Sequence, residues 1–182
     1  PSGVAAIDFL LSDAVHTPPD EAQESGERLV LLPYARFAYR PPLPIQATPP
    51  PALRRGHVTF GSFNRHAKHT DEGARTWARI LAAIPGSRLS LRAAAYRAPS
   101  TVDFIRDRWR ALGVPVERVD FAPFVALDAL HAAYAGIDVA LDPFPFTGGV
   151  TTCDALAHGV PVVTLLGRTM IGRQGAALDG QV

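Results

Sequence analysis

Apolar and polar positions switch between two periods along most of this chain. Val58 to Phe63 (VTFGSF) alternates as a strand does, and the stretch from about Asp71 to Ile84 puts Trp77, Ile80, Leu81 and Ile84 on one helical face. Thr70 is the cap of that helix, and Pro85 with Gly86 ends it. A short strand at Arg88 to Leu91 follows, then a helix from Thr101 to Leu112 capped by Ser100 or Thr101 and closed by Gly113 and Pro115. Val119 to Phe121 reads as a strand, Leu127 to Ala135 as a helix, and the apolar runs Ile137 to Leu141 and Val160 to Leu166 as buried strands. Arg168 to Leu178 opens another helix. Strand and helix alternating over short connections predict an α/β fold, a Rossmann-like parallel sheet with helices on both faces.

The first 55 residues have a different texture. Ala5 to Leu11 and Leu29 to Leu32 are strand-like, separated by the polar stretch His16 to Gly26. Pro33 to Arg55 holds seven prolines, at 33, 41, 42, 44, 49, 50 and 51, with no helical or alternating pattern. A linker or an extended wrapping segment is expected there.

Between the last two strands lies DPFPFTGGVTTCDALAHGVPVVTLLG, Asp142 to Gly167. It has the layout of an anion site: a strand end, an open glycine turn, then a helix of about two turns. Gly148 and Gly149 let a ligand approach the backbone just before unpaired helical N–H groups. Thr151 and Thr152 are good N-cap types, Asp154 is expected in the first turn, and Gly159 with Pro161 stops the helix. An ordinary, well-capped strand-helix turn is the alternative.

Composition singles out one residue. Lys and Arg together number 18, yet Lys68 is the sole lysine. An ammonium retained once, in the loop Asn64 to His69 after the strand 58 to 63, fits a compact point charge for a phosphate better than a guanidinium fork does. A stray lysine is the competing explanation. Ligands of open parallel sheets gather at the C-terminal ends of strands.

At 182 residues and 47% hydrophobic, the chain can bury a full domain core. A net charge of +1 without a basic patch gives no support to nucleic-acid binding. The one cysteine, Cys153, leaves no disulfide framework or cysteine metal cluster and reads as a small packing residue. His66 and His69 have a metal-compatible spacing but no accompanying ligands in sequence, so no metal is expected. No run is long enough to span a bilayer and no export signal opens the chain, which predicts a cytoplasmic protein without membrane contact. The chain begins mid-pattern and ends as a helix begins, so a piece of a larger protein is expected. GxGxxG, GxxxxGK[ST], Asp-x-Asp and GxSxG are all absent, leaving cations and helix N–H groups as the neutralisers of a diphosphate.

Three runs together carry a resemblance: VTFGSFNRHAK, IDVALDPFPFTGGVTTCDALAHGVPVVTLLG and the closing GRQGAAL. They resemble the C-terminal catalytic lobe of the O-linked N-acetylglucosamine transferase and Spindly family of glycosyltransferases, over residues 56 to 178. IDFLLSDAVHTPPDE, RLVLLP and YRPP, within residues 4 to 42, are similar to the family segment that closes the N-terminal catalytic lobe.

The resemblance implies a GT-B protein, with residues 1–55 the end of the first lobe plus an inter-lobe segment and 56–182 the nucleotide-sugar-binding lobe. It implies an inverting, metal-independent transferase without cofactor, moving a sugar from UDP-N-acetylglucosamine, or secondarily GDP-fucose, to Ser or Thr of a protein. Helical tetratricopeptide repeats often precede the lobes in this family. Lys68 matches the lysine after the FN motif that contacts the donor diphosphate and is the one catalytic candidate. Thr151 and Thr152 match diphosphate contacts at the helix start, and Asp154 matches the acidic residue that takes the ribose hydroxyls. Asn64 of the FN motif, Arg65 after it and Arg173, which matches an arginine of the closing motif, are further candidate contacts. Gly149 and Val150 stand where members carry a histidine or a longer threonine run. Arg65 stands where some carry glutamine, and Leu130 where some carry a helix histidine, with His131 one position off. The alternative weighed against a transferase is a non-catalytic nucleotide-binding or interaction module of the same fold; a two-lobed sugar-nucleotide epimerase is a further enzyme alternative.

Overall fold

The computed structural model describes residues 2–20, 26–41, 44–45 and 47–180. Pro1, residues 21–25 of the polar stretch, Pro42, Leu43 and Gln46 of the proline-rich stretch, and Gln181 and Val182 lie outside the described residues.

Two strands, β1 (Phe9–Ser12) and β2 (Arg28–Leu31), form a small parallel sheet of their own, with Phe9 opposite Arg28 and Ser12 opposite Leu31. Asp13 anchors the turn after β1: one carboxylate oxygen accepts the Val15 and His16 amides, the other the Arg36 amide. The proline-rich stretch then crosses to the second sheet and ends in a single helical turn, α1 (Ala52–Arg55). The Asp138 carboxylate accepts from both the Ala52 and Thr59 amides at 2.8 Å and so pins this entry.

The second sheet is built from β3 (Thr59–Ser62), β4 (Arg88–Arg92), β5 (Val119–Ala122), β6 (Val139–Leu141) and β7 (Val162–Val163). Its spatial order is β5-β4-β3-β6-β7, and every pair is parallel. The helices α2 (Asp71–Ala83), α3 (Pro99–Ala111), α4 (Leu127–Tyr134), α5 (Val150–Ala157) and α6 (Gln174–Asp179) connect and follow the strands. The chain starts in the middle at β3, walks outward to β5, then returns to lay β6 on the other side of β3. That reversal opens a crevice above the carboxyl ends of β3 and β6, where doubly wound sheets bind ligands. β3 and β6 fit because Gly61 has no side chain; a Cβ there would meet Ile137 at 2.5 Å.

Two apolar cores flank β3. The larger collects Trp77, Leu81, Leu89, Leu91, Ile105, Trp109 and their neighbours between β3, β4, β5, α2 and α3. Phe63, Leu130, Tyr134, Ile137, Ala155, Val160 and Val162 make the smaller one. No described helix is long and apolar enough to cross a membrane.

Several expected boundaries shift. Strand β1 begins only at Phe9, after a turn at residues 5–6, rather than at Ala5. Helix α3 starts at Pro99, whose ring suits the first helical position, with Ala98 before it and no side-chain cap from Ser100 or Thr101. Gly149, not a threonine, is the N-cap of α5, so Thr151 and Thr152 lie inside its first turn and Asp154 in the next. The strand expected at 160 to 166 is two residues long, because only Val162 and Val163 find partners, on Ala140 and Leu141 at the end of the sheet. The helix expected over 168 to 178 is divided: a 3₁₀ turn at Met170–Gly172, held by Thr169, precedes α6.

Candidate nucleotide-sugar site

The loops leaving β3 and β6 face each other across the crevice. From β3, Asn64 is buried and Arg65 exposed, and a 3₁₀ turn at His66–Lys68 brings the lysine back over the sheet end. Lys68 Nζ donates to the Thr147 carbonyl at 2.7 Å and lies 4.0 Å from the centre of the Phe146 ring. Burial lowers the pKa of this ammonium; the Asp142 carboxylate opposes that and Arg65 adds to it. An amine partly stripped of water, with only a carbonyl and a ring face as partners, is well placed to gain from an anion.

From β6, the glycine turn is held by buried polar groups. Asp142, only 7% exposed, accepts the Gly148 amide on one oxygen at 2.7 Å and the Thr164 hydroxyl on the other at 3.0 Å. Burial pushes its pKa up to about 6, against the pull of those two donors and of Lys68. Thr147, fully buried, donates to the Ile171 carbonyl and accepts the Gly175 amide, tying the turn to the start of α6. This crowding excludes side chains at two glycines. A Cβ on Gly148 would fall on the Thr152 hydroxyl and 2.7 Å from Asp142 Oδ1; one on Gly175 would overlap Asp142 Oδ2.

The turn delivers α5 with its N-terminus at the crevice. Among the described residues no protein acceptor meets the amides of Gly149, Val150 and Thr151, the orphan donors of a helix start. The Thr151 hydroxyl donates to Asn64 Oδ1 at 3.0 Å, joining the two loops.

These groups border a cleft of about 850 Å³. Asn64, Arg65, Lys68, Gly149, Val150 and Thr151 line it, with walls from Phe37, Phe63, Phe124, Phe146 and Ile171. Two cations, a helix N-terminus and aromatic walls bordering one cleft, with Phe146 against Lys68, suit a ligand with an anionic centre and a flat apolar part. Among the described residues no aspartate, glutamate or histidine lines it.

The remaining expected residues lie elsewhere. Thr152 is buried beneath the cleft, its hydroxyl without a partner, as is that of Ser62; both border a water-sized cavity of about 10 Å³. Asp154 sits one turn along α5, where its Oδ1 accepts from the Tyr39 hydroxyl. Arg173 is buried below the rim and donates to the Gly167 and Arg168 carbonyls, holding the loop before α6. The His66 and His69 Nδ1 atoms both lie within hydrogen-bond reach of Tyr96 Oη. Among the described residues no group of three His, Cys, Asp or Glu converges as a metal site would need. Cys153 is buried, and burial raises its thiol pKa to about 11, as suits a packing residue.

Phe37, Tyr39, Gln174, Thr147 and the anchoring role of Asp142 escaped sequence reasoning. A Cβ on Gly149 would overlap Gln174 Nε2 and come within 3.2 Å of the Phe37 ring. Only Asp142 had a sequence signal, as a lone carboxylate closing an apolar strand.

No family model matches the chain. Along 97% of its length it is 40% identical to the probable UDP-N-acetylglucosamine–peptide N-acetylglucosaminyltransferase SPINDLY of Solanum lycopersicum, and it spans 19% of that protein. The corresponding SEC protein of Arabidopsis thaliana is 29% identical over the same share of the chain. A mutant of the Thermobaculum terrenum O-GlcNAc transferase superposes with a TM-score of 0.86 at 36% identity, covering 99% of this chain and 35% of that one. The chain therefore spans about a fifth of the length of the curated relatives it matches.

Proposed function

We propose that this chain, a homologue along nearly all its length of the Spindly and SEC transferases, is the donor-binding lobe of a protein O-glycosyltransferase. One observation carries this: Lys68, Arg65 and the first amides of α5 converge on a single cleft at the switch point between β3 and β6. The diphosphate of a nucleotide sugar sits on Lys68, Gly149, Val150 and Thr151, with the base against aromatic rings of the same cleft. Thr152 supports the turn from below, and Asp154 takes the ribose hydroxyls. Asn64 holds Thr151 in place, while Arg173 acts through the loop it staples. UDP-N-acetylglucosamine is the proposed donor, ahead of GDP-fucose, in keeping with the names of the relatives.

In the proposed reaction the bond from the anomeric carbon to the diphosphate oxygen breaks. A Ser or Thr hydroxyl of the acceptor forms its bond on the opposite face, with inversion. The leaving diphosphate gains negative charge, and Lys68 with the α5 amides stabilises it in a half-dry site, where fixed charges act most strongly. These groups supply the neutralisation that a divalent cation gives in other transferases. The acceptor's proton goes to a base contributed from outside the described lining of the cleft. Residues 1–55 are taken as the end of the preceding lobe and its connection, and 56–182 as the donor lobe.

Calorimetric titration with UDP and with GDP, both in chelator, tests the site; binding of one of them, weakened in Lys68→Ala, is expected. In the complete protein Lys68→Ala lowers turnover by about 10²-fold or more, the scale of losing one transition-state charge partner. Nucleotide binding without any transfer to protein would favour the non-catalytic module, and unchanged turnover in the variant would end the role given to Lys68.

A further inference from the structure

The proline-rich stretch does more than connect the two sheets. Phe37 lines the cleft beside Gly149, its ring 3.2 Å from where a Cβ on that glycine would fall, and two residues on, Tyr39 reaches α5. Its hydroxyl donates to Asp154 Oδ1 at 2.5 Å across 115 residues of chain. Burial raises the pKa of this phenol, and the Asp154 carboxylate raises it further, so it stays a donor throughout the physiological range.

Asp154 is thereby held twice. Its backbone carbonyl accepts from His158 Nδ1 at 2.6 Å, and its carboxylate has one oxygen committed to Tyr39. Among the described residues Oδ2 has no protein partner. Asp154 follows Val150 by four residues and Thr151 by three, so it shares a helix face with two residues that line the cleft. A half-buried carboxylate with one oxygen tied is limited to few rotamers and presents the other oxygen in a set direction. That is the arrangement a pair of neighbouring hydroxyls needs in an acceptor.

We propose that Tyr39 is a positioning residue for donor recognition: the inter-lobe segment locks Asp154 Oδ1 so that Oδ2 accepts from the ribose hydroxyls of the nucleotide. This rests on the nucleotide-sugar function proposed above. The donor site is then a composite, its phosphate end supplied by the β3 and β6 loops and its ribose end set by a segment outside the second sheet. Movement of that segment would change ribose recognition while leaving the diphosphate contacts in place.

The test compares the complete protein with its Tyr39→Phe variant for binding of UDP or GDP, whichever binds, and of the matching 2′,3′-dideoxy diphosphate. Tyr39→Phe is expected to weaken the ribonucleotide about 3- to 10-fold, the range for one hydrogen bond, while changing the dideoxy analogue little. Discrimination between the two thus shrinks. In an Asp154→Ala background the tyrosine substitution should have no further effect on the ribonucleotide. Equal weakening of both ligands would mean a merely structural contact and overturn the proposal. Unchanged or tighter ribonucleotide binding would overturn it too, the latter by showing that Tyr39 competes with the ribose. If the unaltered protein binds neither nucleotide, the nucleotide-sugar function itself fails and the role of Tyr39 falls with it.

Discussion

The two flanks of β3 are built on opposite principles. On the β4 and β5 side, aromatic rings run in a chain through the core: His69 to Trp77 at 5.1 Å, Trp77 to Trp109 at 6.0 Å, Trp109 to Phe121 at 5.8 Å and Phe121 to Tyr96 at 5.2 Å between centres. On the β6 and β7 side, the buried positions nearest the cleft are Asp142, Thr147, Thr152 and glycines. Large side chains that fill space stabilise the first flank. The second has a smaller apolar core around Phe63 and Tyr134, but its rim at the cleft is kept in shape by hydrogen bonds to a carboxylate and a hydroxyl, since backbone amides must stay uncovered at the helix start. A site of this kind uses the stability of the flank that has none.

Three experiments can break or sharpen that contrast. The largest effect is expected from Trp109→Ala, which empties the aromatic flank and should cost about 3–5 kcal/mol of unfolding free energy in a denaturant titration. A loss no greater than that of a surface substitution would mean the flank is not the source of stability. Next comes Gly175→Ala, which sets a methyl group on Asp142 Oδ2 and should cost about 1–3 kcal/mol. It should abolish nucleotide binding by displacing the glycine turn, whereas Trp109→Ala leaves affinity intact in the molecules that remain folded. Retained affinity in a folded Gly175→Ala protein would show that the turn does not depend on the Asp142 anchor.

The smallest and most diagnostic effect is in the pH dependence, where the flanks respond with opposite sign. Burial holds His69 down to about 3 and His16 to about 4, below the ordinary 6.5. The unfolded chain therefore binds more protons there, and stability present above pH 6.5 is lost as pH falls towards those values. Asp142 is raised from 3.8 to about 6, so the folded state holds its proton longer, and stability present below pH 4 is lost as pH rises to about 6. With His66 also held down by burial, three histidines stand against the raised Asp142, and the net expectation is destabilisation by acid between pH 6.5 and 4. Denaturation midpoints measured across that range should flatten in His69→Phe and steepen in Asp142→Asn. The same slope in both variants would refute the assignment of opposite signs.

Much of the site was readable beforehand because its components are local. The glycine pair, the helix behind it and Lys68 after an alternating strand each sit within a few residues of the strand end that presents them. Local signals failed where a neighbour decides. Thr151 and Thr152 are good cap types, yet the cap falls on Gly149 (φ −125°, ψ −91°), two residues before Thr151. Val160 to Leu166 looks like a long buried strand, but β6 offers it only Ala140 and Leu141, and Leu165 and Leu166 are left exposed. Pro99 did announce the start of α3 and was passed over for the hydroxyls that follow it.

Periodicity and punctuation in the sequence determined the alternation of strands and helices, the parallel class of the sheet, the glycine turn and the isolated lysine, because each depends on contacts a few residues apart. Tertiary structure alone decided which strand ends meet. The order β5-β4-β3-β6-β7 puts Lys68 on the Thr147 carbonyl and Asn64 on Thr151, and the path of the proline-rich stretch puts Tyr39 on Asp154, pairs separated by 79, 87 and 115 residues. No local pattern encodes such pairings: they follow from how apolar faces close over one another, and the polar groups brought together at the edge then form the site.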